Sequence, residues 1–388
     1  MLSPNELFTF ISSDDRGFYQ TLKVQVDRYF QETGQSRYAN QRMVCKIVFY
    51  FAAFFSLYVA ILLGGFNGLV TLALAILCGW VNVLIAFNIG HDAAHDAISH
   101  HKKVNRLLGI LSLNLIGGNA YIYGIVHNTP HFFPNVPGVD VTLDQTGMLL
   151  RLSPTMPLRP FHRYQHLYGP MLYLLYSIFL VFLKDFRIFR RPRIGNKLIK
   201  GHPIREYVVL ILCKLMYGAY AIILPLYALD FPWWQVLAGF CCMHLGMGLL
   251  ITLVLQPVHL SSDLTFEESD ADGVIHKHWA LYQMEATKDF APESRLANFL
   301  LGGLNTHVIH HLFPRICHVH YLPLTRLLRE TAAACGVPYH SQSFLKAILG
   351  HWKFLRLMGR QRKPGDVASE EGRHGEEWLL PAPELHNG

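Results

Sequence analysis

The 388-residue chain is 51% hydrophobic and only 16% charged, with a formal net charge of +7, where an ordinary soluble domain is about 25% charged. That composition excludes a disordered chain, and seven scattered cysteines with no Cys-x-x-Cys pair exclude a disulfide scaffold. A large soluble enzyme or a polytopic membrane protein remains.

In chain order, residues 1–46 form a polar, mixed-charge arm, in which Phe18, Leu22, Val26 and Phe30 recur at helical spacing. Such a start does not resemble a cleaved signal peptide. Two apolar runs follow, at about 47–63 and 67–88, each close to the ~20 residues that cross a bilayer as a helix. Two more lie at about 207–229 and 233–256. The turns Gly64-Gly65-Phe66 and Asp230-Phe231-Pro232 are so short that each pair reads as a hairpin. Leu107–Val126 carries Asn114, Gly117, Gly118 and Asn119, and Pro170–Leu183 is short; both read as interfacial or re-entrant segments. Beyond Lys363 the chain turns polar and rich in Pro and Gly, as a disordered tail does. The reading is therefore an all-α polytopic membrane protein. It has an arm at 1–46, a membrane domain at 47–362 and a tail at 363–388.

Charge orients the spans. Neither hairpin turn carries Lys or Arg, and among the spans only Lys214 interrupts the apolar sequence, expected to snorkel toward the cytoplasm. The positive-inside rule places both termini and the central segment in the cytoplasm. The basic balance then faces anionic lipid rather than nucleic acid.

Histidine is the unusual residue, with 22 in the chain. A lone His-x-x-x-His pair is unremarkable at that frequency, but His307-Val-Ile-His310-His311 is not. Positions i and i+4 share a helical face, so His91 and His95 can aim two imidazoles at one metal, and His307, His310 and His311 can converge. Neutral imidazole suits Zn, Cu, Fe and Ni. With His127, His131 and His259, eight rings exceed what one four-coordinate ion needs and fit two metals. All eight fall on the same predicted side of the membrane. His162 and His166 form another i, i+4 pair, while His100, His101, His318 and His320 are expected at the surface or behind the ligands.

These stretches resemble the membrane fatty acid desaturases, in the front-end, linoleoyl-CoA-desaturase-like branch. The resemblance rests on Gly90-His-Asp-Ala-Ala-His95, Val126-His-Asn128 with Pro137-Gly-Val-Asp140 after it, His162-Arg-Tyr-Gln-His-Leu-Tyr168, and above all the run from Gly302 to Tyr321. It implies a non-haem di-iron centre held by His91, His95, His127, His131, His259, His307, His310 and His311. It also implies O2 as co-substrate and a fatty acyl substrate on CoA, acyl carrier protein or a phospholipid. Asp92 and Asn128 are placed to hold ligand imidazoles, and His162 or His166 to fill a gap. Three features depart from the pattern. Phe132 stands where the second box usually has another His, His307 stands where the branch usually has Gln, and the one His-Pro pair, His202-Pro203, lacks the Gly-Gly of a fused cytochrome b5 domain. Electrons are then expected from a separate donor such as ferredoxin or cytochrome b5. Lys184, Arg187, Arg190, Arg191 and Arg193 are the candidate contacts for donor or lipid.

An unactivated C–H bond yields to an oxidant rather than to acid–base side chains, and two irons with O2 supply one. The same scaffold can hydroxylate, or convert an alkene to an alkyne. A His-rich metal transporter or sensor is a different reading, but it expects ionisable groups lining the spans, where only Lys214 and His244 occur.

Overall fold

The described residues of the computed structural model are 8–11, 15, 17–143 and 148–360, with the side chains of 129 and 130 left aside. The expected tail lies outside them. Four helices are long and apolar enough to cross a membrane: α2 (Gln41–Leu63), α3 (Gly68–Ala94), α8 (Ile204–Ala228) and α9 (Trp233–His259). Only 17% to 33% of their most apolar windows is buried within the protein. The outward surfaces are therefore hydrocarbon, which is stable against lipid rather than water. The protein is thus a mostly helical membrane protein.

Local chemistry sets the helix starts. The Asn40 side chain accepts from the Arg42 and Met43 amides, and Asn67 accepts from Val70, each satisfying amides that the first turn leaves unpaired. At their other ends α3 and α9 run past the apolar stretches, through His91 and to His259. The expected boundaries at 88 and 256 thus fall short, by nearly two turns in α3 and about one in α9. α3 packs between α2 and α9, with Ile85 and Ile89 in one cluster and Val83 and Phe87 in the other. The far ends of the two pairs meet where Gly68 approaches Phe231.

Between the pairs lie α4 (Lys102–Asn114) and α5 (Ala120–Phe132). Gly117 separates them at φ 68°, where a Cβ would lie 2.9 Å from Val181. Next come α6 (Pro160–Leu174) and α7 (Tyr176–Phe189), bent by 61° at their junction. The expected short segment at Pro170–Leu183 is thus the middle of a longer bent pair, either a broken span or a re-entrant loop. Lys214 on α8 reaches the segment between the two helix pairs. Its ammonium donates to Asp185 at 2.7 Å and to the Gly117 carbonyl at 2.6 Å, since a buried charge needs a partner.

The remaining helices, α10 (Trp279–Ala286), α11 (Arg295–Leu301), α12 (His307–Leu312), α13 (Tyr321–Ala334) and α14 (Phe344–Met358), are amphipathic or short. α1 (Phe18–Thr33) buries the four residues its spacing singled out against Val308, Ile309, Leu312, Leu324 and Leu328. The arm is therefore packed onto α12 and α13. Two two-residue parallel ladders tie distant loops, Thr9–Phe10 with Val274–Ile275 and Asp289–Phe290 with Ser341–Gln342, and Arg193–Ile194 pairs antiparallel with Lys197–Leu198 in a local hairpin.

Gly302 marks the closest approach of α11 to α3. Its φ is 62°, and a Cβ there would sit 2.5 Å from the Phe87 carbonyl oxygen and 2.9 Å from Asn88 Cα. Gly302→Ala should lower stability by about 1–3 kcal/mol through this overpacking, seen as a lower melting temperature of the purified protein. Gly124→Ala, which meets nothing within 4 Å, should leave it unchanged.

Candidate metal centre

The site is built where α3, α5, α9 and α12 meet. Just before His91, α3 widens into a π-helical turn over Ala86–Gly90, a one-residue register change common at functional sites. The chain then leaves the helix at His95. On α5, His127 and His131 stand one turn apart on one face, with their Nε2 atoms 3.1 Å apart. α9 ends on His259. The six-residue α12 carries His307, His310 and His311, all buried.

Eight imidazoles thus gather in two adjoining groups. His91, His95, His127, His131 and His310 form one, and His259, His307 and His311 the other. Within each group the available ligand atoms lie within 4.8 Å of one another. His310 Nε2 is 3.0 Å from His131 Nε2, and His307 Nε2 is 2.8 Å from His259 Nε2 and 3.2 Å from His311 Nε2. The rings of His131 and His311, 4.2 Å apart, join the groups.

The donors fit metal ions. Both ring nitrogens of His91, Nε2 of His95, and Nδ1 of His131, His259 and His307 are buried without a hydrogen-bond partner. Leaving a buried polar atom unpaired costs about 1–3 kcal/mol, so an empty site of this composition is unfavourable and ions would relieve it. Two rings are held from behind. His311 Nδ1 donates to Gln283 Oε1 at 2.8 Å, and His310 Nδ1 hydrogen-bonds the Tyr321 hydroxyl at 2.9 Å. With Nδ1–H engaged by Gln283, the Nε2 lone pair of His311 points inward, the arrangement a metal site needs. Gln283 escaped sequence reading because it belongs to no histidine motif, and Tyr321 closes the Gly302–Tyr321 run without a role assigned to it there; folding alone brings both to the rings.

Asp92 lies beside His91, with its carboxylate 3.8 Å from His91 Nδ1. It accepts from the His318 backbone amide and from His318 Nδ1 at 2.8 Å. His318 and His320 are both buried, and His318 stands behind His91, one of the two placements expected of it. Asn128 lines a cleft of about 910 Å³ that passes the end of α3, bordered by Gly90, Ala93, Gly109 and Gly124. Lys102, Arg106 and Lys197 also line it. A separate small cavity, about 130 Å³, touches His127.

Other expectations need correction. His162 and His166 are not in either group. His162 Nε2 donates to the Met148 carbonyl and its Nδ1 accepts from the Arg159 amide, so both nitrogens are used structurally. His166 packs its ring on Trp352. Phe132, 58% exposed, turns its ring toward Trp279. The five cations around α7 are unequally placed. Lys184 borders the small cavity beside Asp185, Arg187 covers the Phe179 ring, and Arg193 donates to the Gly138 and Gly195 carbonyls. Only Arg187 and Arg190 are well exposed, with Arg191 half-buried.

Two predictions follow from this geometry. His307→Ala should lower bound metal by removing one of three imidazoles from the smaller group, and His307→Gln should be milder. His162→Ala should leave metal content unchanged; elemental analysis of purified protein reads all three. The second concerns pH. Burial holds His95, His127, His131, His307, His310 and His311 below the ordinary histidine range, and neighbouring imidazoles add to it. Unfolded histidines titrate near about 6.5, so below that pH the unfolded chain binds more protons than the folded one. Stability should be complete above about pH 6.5 and fall as pH drops below it. Metal content should fall in step, because protons compete for the same lone pairs.

The sequence comparisons agree with this geometry. The profile of the fatty acid desaturase family matches residues 67–343. An sn-1 linoleoyl-lipid 6-desaturase of Synechocystis is 29% identical, over 89% of this chain and 96% of its own length. An acyl-lipid (8-3)-desaturase B of Dictyostelium discoideum is 30% identical, over 89% of this chain and 77% of its own. A Delta(5) fatty acid desaturase A of the same organism is 28% identical, over 90% and 76%. The chain belongs to the fatty acid desaturase family, in its front-end branch, and is a fatty acyl desaturase, an oxidoreductase.

Proposed function

We propose that the chain inserts a double bond into a lipid-linked acyl chain, between an existing double bond and the carboxyl end, using two iron ions held by the eight clustered imidazoles. The observation that carries this reading is the pair of adjoining all-imidazole groups beside a deep cleft. Relatives named as acyl-lipid and linoleoyl-lipid desaturases support the lipid carrier over CoA or acyl carrier protein.

Two irons, when bound, supply the oxidant that O2 chemistry requires at an unactivated methylene. The chain's own residues do the rest. Small residues (Gly90, Ala93, Gly109 and Gly124) leave room for a methylene chain to pass the turn that carries His91 and His95. Lys102, Arg106 and Lys197 offer positive charge to a phosphate headgroup at the same cleft; Arg106 shares Glu206 with Arg205. Which carbons react is fixed by how far the chain slides past the imidazoles, so positioning sets regioselectivity. Gln283 and Tyr321 keep two rings in the orientation that presents Nε2 inward. Per double bond the reaction takes two substrate hydrogens, one O2, two electrons and two protons, and yields two waters. A separate one-electron donor, such as ferredoxin or cytochrome b5, supplies the electrons. Both termini and the metal centre face the cytoplasm in this reading, because Lys and Arg flank the imidazole ends of the spans and avoid the opposite turns.

Expression in a host with a simple lipid profile, fed linoleate, tests the proposal. Double-bond mapping of total lipid should show a new double bond on the carboxyl side of the existing ones. The His311→Ala variant should show none. A hydroxylated or alkyne product in place of the alkene would overturn the reaction assigned.

A further inference from the structure

A second groove, of about 870 Å³, lies on the protein away from the acyl cleft, and the two share no lining residue. It is formed by the first turns of α2, by α11 and by the start of α13. Four cations line it (Arg42, Lys46, Arg295 and Arg326) and no Asp or Glu does. Arg326 reaches Glu293 at 3.5 Å, an exposed pair worth little in solvent. Arg42 and Arg295 have no ion-pair partner among the described residues.

The floor of this groove is connected to the metal centre. Lys46 Nζ donates to His318 Nε2 at 2.8 Å, and the same ammonium lies 4.8 Å from the centre of the Phe299 ring. His318 Nδ1 donates to Asp92 at 2.8 Å, and the other carboxylate oxygen of Asp92 lies 3.8 Å from His91 Nδ1. Three side chains therefore bridge the groove and an imidazole of the larger group. Both His318 and Asp92 are buried, so the connection is dry and fixed.

We propose that this groove is the docking face for an acidic one-electron carrier protein, and that the His318–Asp92–His91 contact is the short through-protein path by which its electrons arrive. The inference rests on the desaturase reading and names its donor surface. Each encounter oxidises the carrier by one electron and reduces the metal pair by one, so two encounters supply what one turnover consumes. Charge complementarity selects an anionic partner and speeds its arrival. An anionic lipid headgroup would satisfy the four cations equally well. It would have no use for a buried, hydrogen-bonded floor that ends on His91, which is why the carrier is favoured. Because cleft and groove are separate, the carrier can dock while the acyl chain is in place.

The test uses the full chain in nanodiscs of zwitterionic lipid, with a soluble, acidic [2Fe–2S] ferredoxin as probe and binding read by calorimetry at low and high salt. The double variant Arg42→Glu/Arg326→Glu should bind ferredoxin at least about tenfold more weakly and with less salt dependence. Arg187→Glu/Arg190→Glu, at the end of α7 and outside the groove's lining, should bind within about twofold of the unaltered protein. His318→Gln should leave the dissociation constant unchanged while slowing anaerobic reoxidation of reduced ferredoxin, at equal iron content. Melting temperature and metal content verify that each variant is folded. Unaltered ferredoxin binding by the groove variant overturns the proposal. So does unaltered ferredoxin binding together with lost capture of phosphatidylglycerol in a parallel assay with phosphatidylglycerol vesicles, which would mark a headgroup site. Binding is measured without turnover, so a missing new double bond in the lipid experiment would defeat the function proposed above without bearing on this measurement.

Discussion

Everything in this protein is arranged around the crowding of neutral imidazoles in a place without water. Six of the eight rings have a nitrogen about 3 Å from a neighbour's and could not stay together if they were charged. Burial holds rings such as His127 and His310 below the ordinary histidine range. The same burial leaves ring nitrogens of His91, His95, His131, His259 and His307 without a hydrogen-bond partner. Gln283 and Tyr321 hold two other rings from behind, and the unpaired nitrogens are a polar demand that metal ions would meet. The fold serves that end. α3 and α9 are extended beyond their apolar stretches, and a widened turn at Ala86–Gly90 re-aims α3 just ahead of His91.

The cap over the site is held by ordinary apolar packing. α1 has no sequence neighbour near the imidazoles, yet Phe18, Leu22, Val26 and Phe30 lie against α12 and α13. Val308 and Ile309, between the ligating positions of α12, point into that same cluster. α12 is only six residues long and could not persist alone. Its shape is imposed by what packs on its apolar face and by Asp289, which accepts from the Val308 amide at its start.

The sequence made the spans and the eight imidazoles legible for physical reasons. Bilayer thickness demands long apolar runs, and a shared helical face demands fixed histidine spacing. What it concealed depends on partners far apart in the chain. Lys214 shows in sequence as a lone lysine in a span, without the Asp185 it pairs with. His162 and His166 have ligand spacing, but Met148, Arg159 and Trp352 claim them. His318 reads as a residue at the surface or behind the ligands, and its contact with Asp92 puts it behind His91. Gln283 carries no motif at all. Spacing along one helix is local information, and a hydrogen bond between distant segments is not.

The division of the imidazoles into five and three has a consequence for any metals the site would hold. One position would be surrounded by imidazoles, while the other would have three to draw on and room for further ligands that are not imidazole. The two halves of the site are therefore chemically unequal, although every side chain that builds them is a histidine.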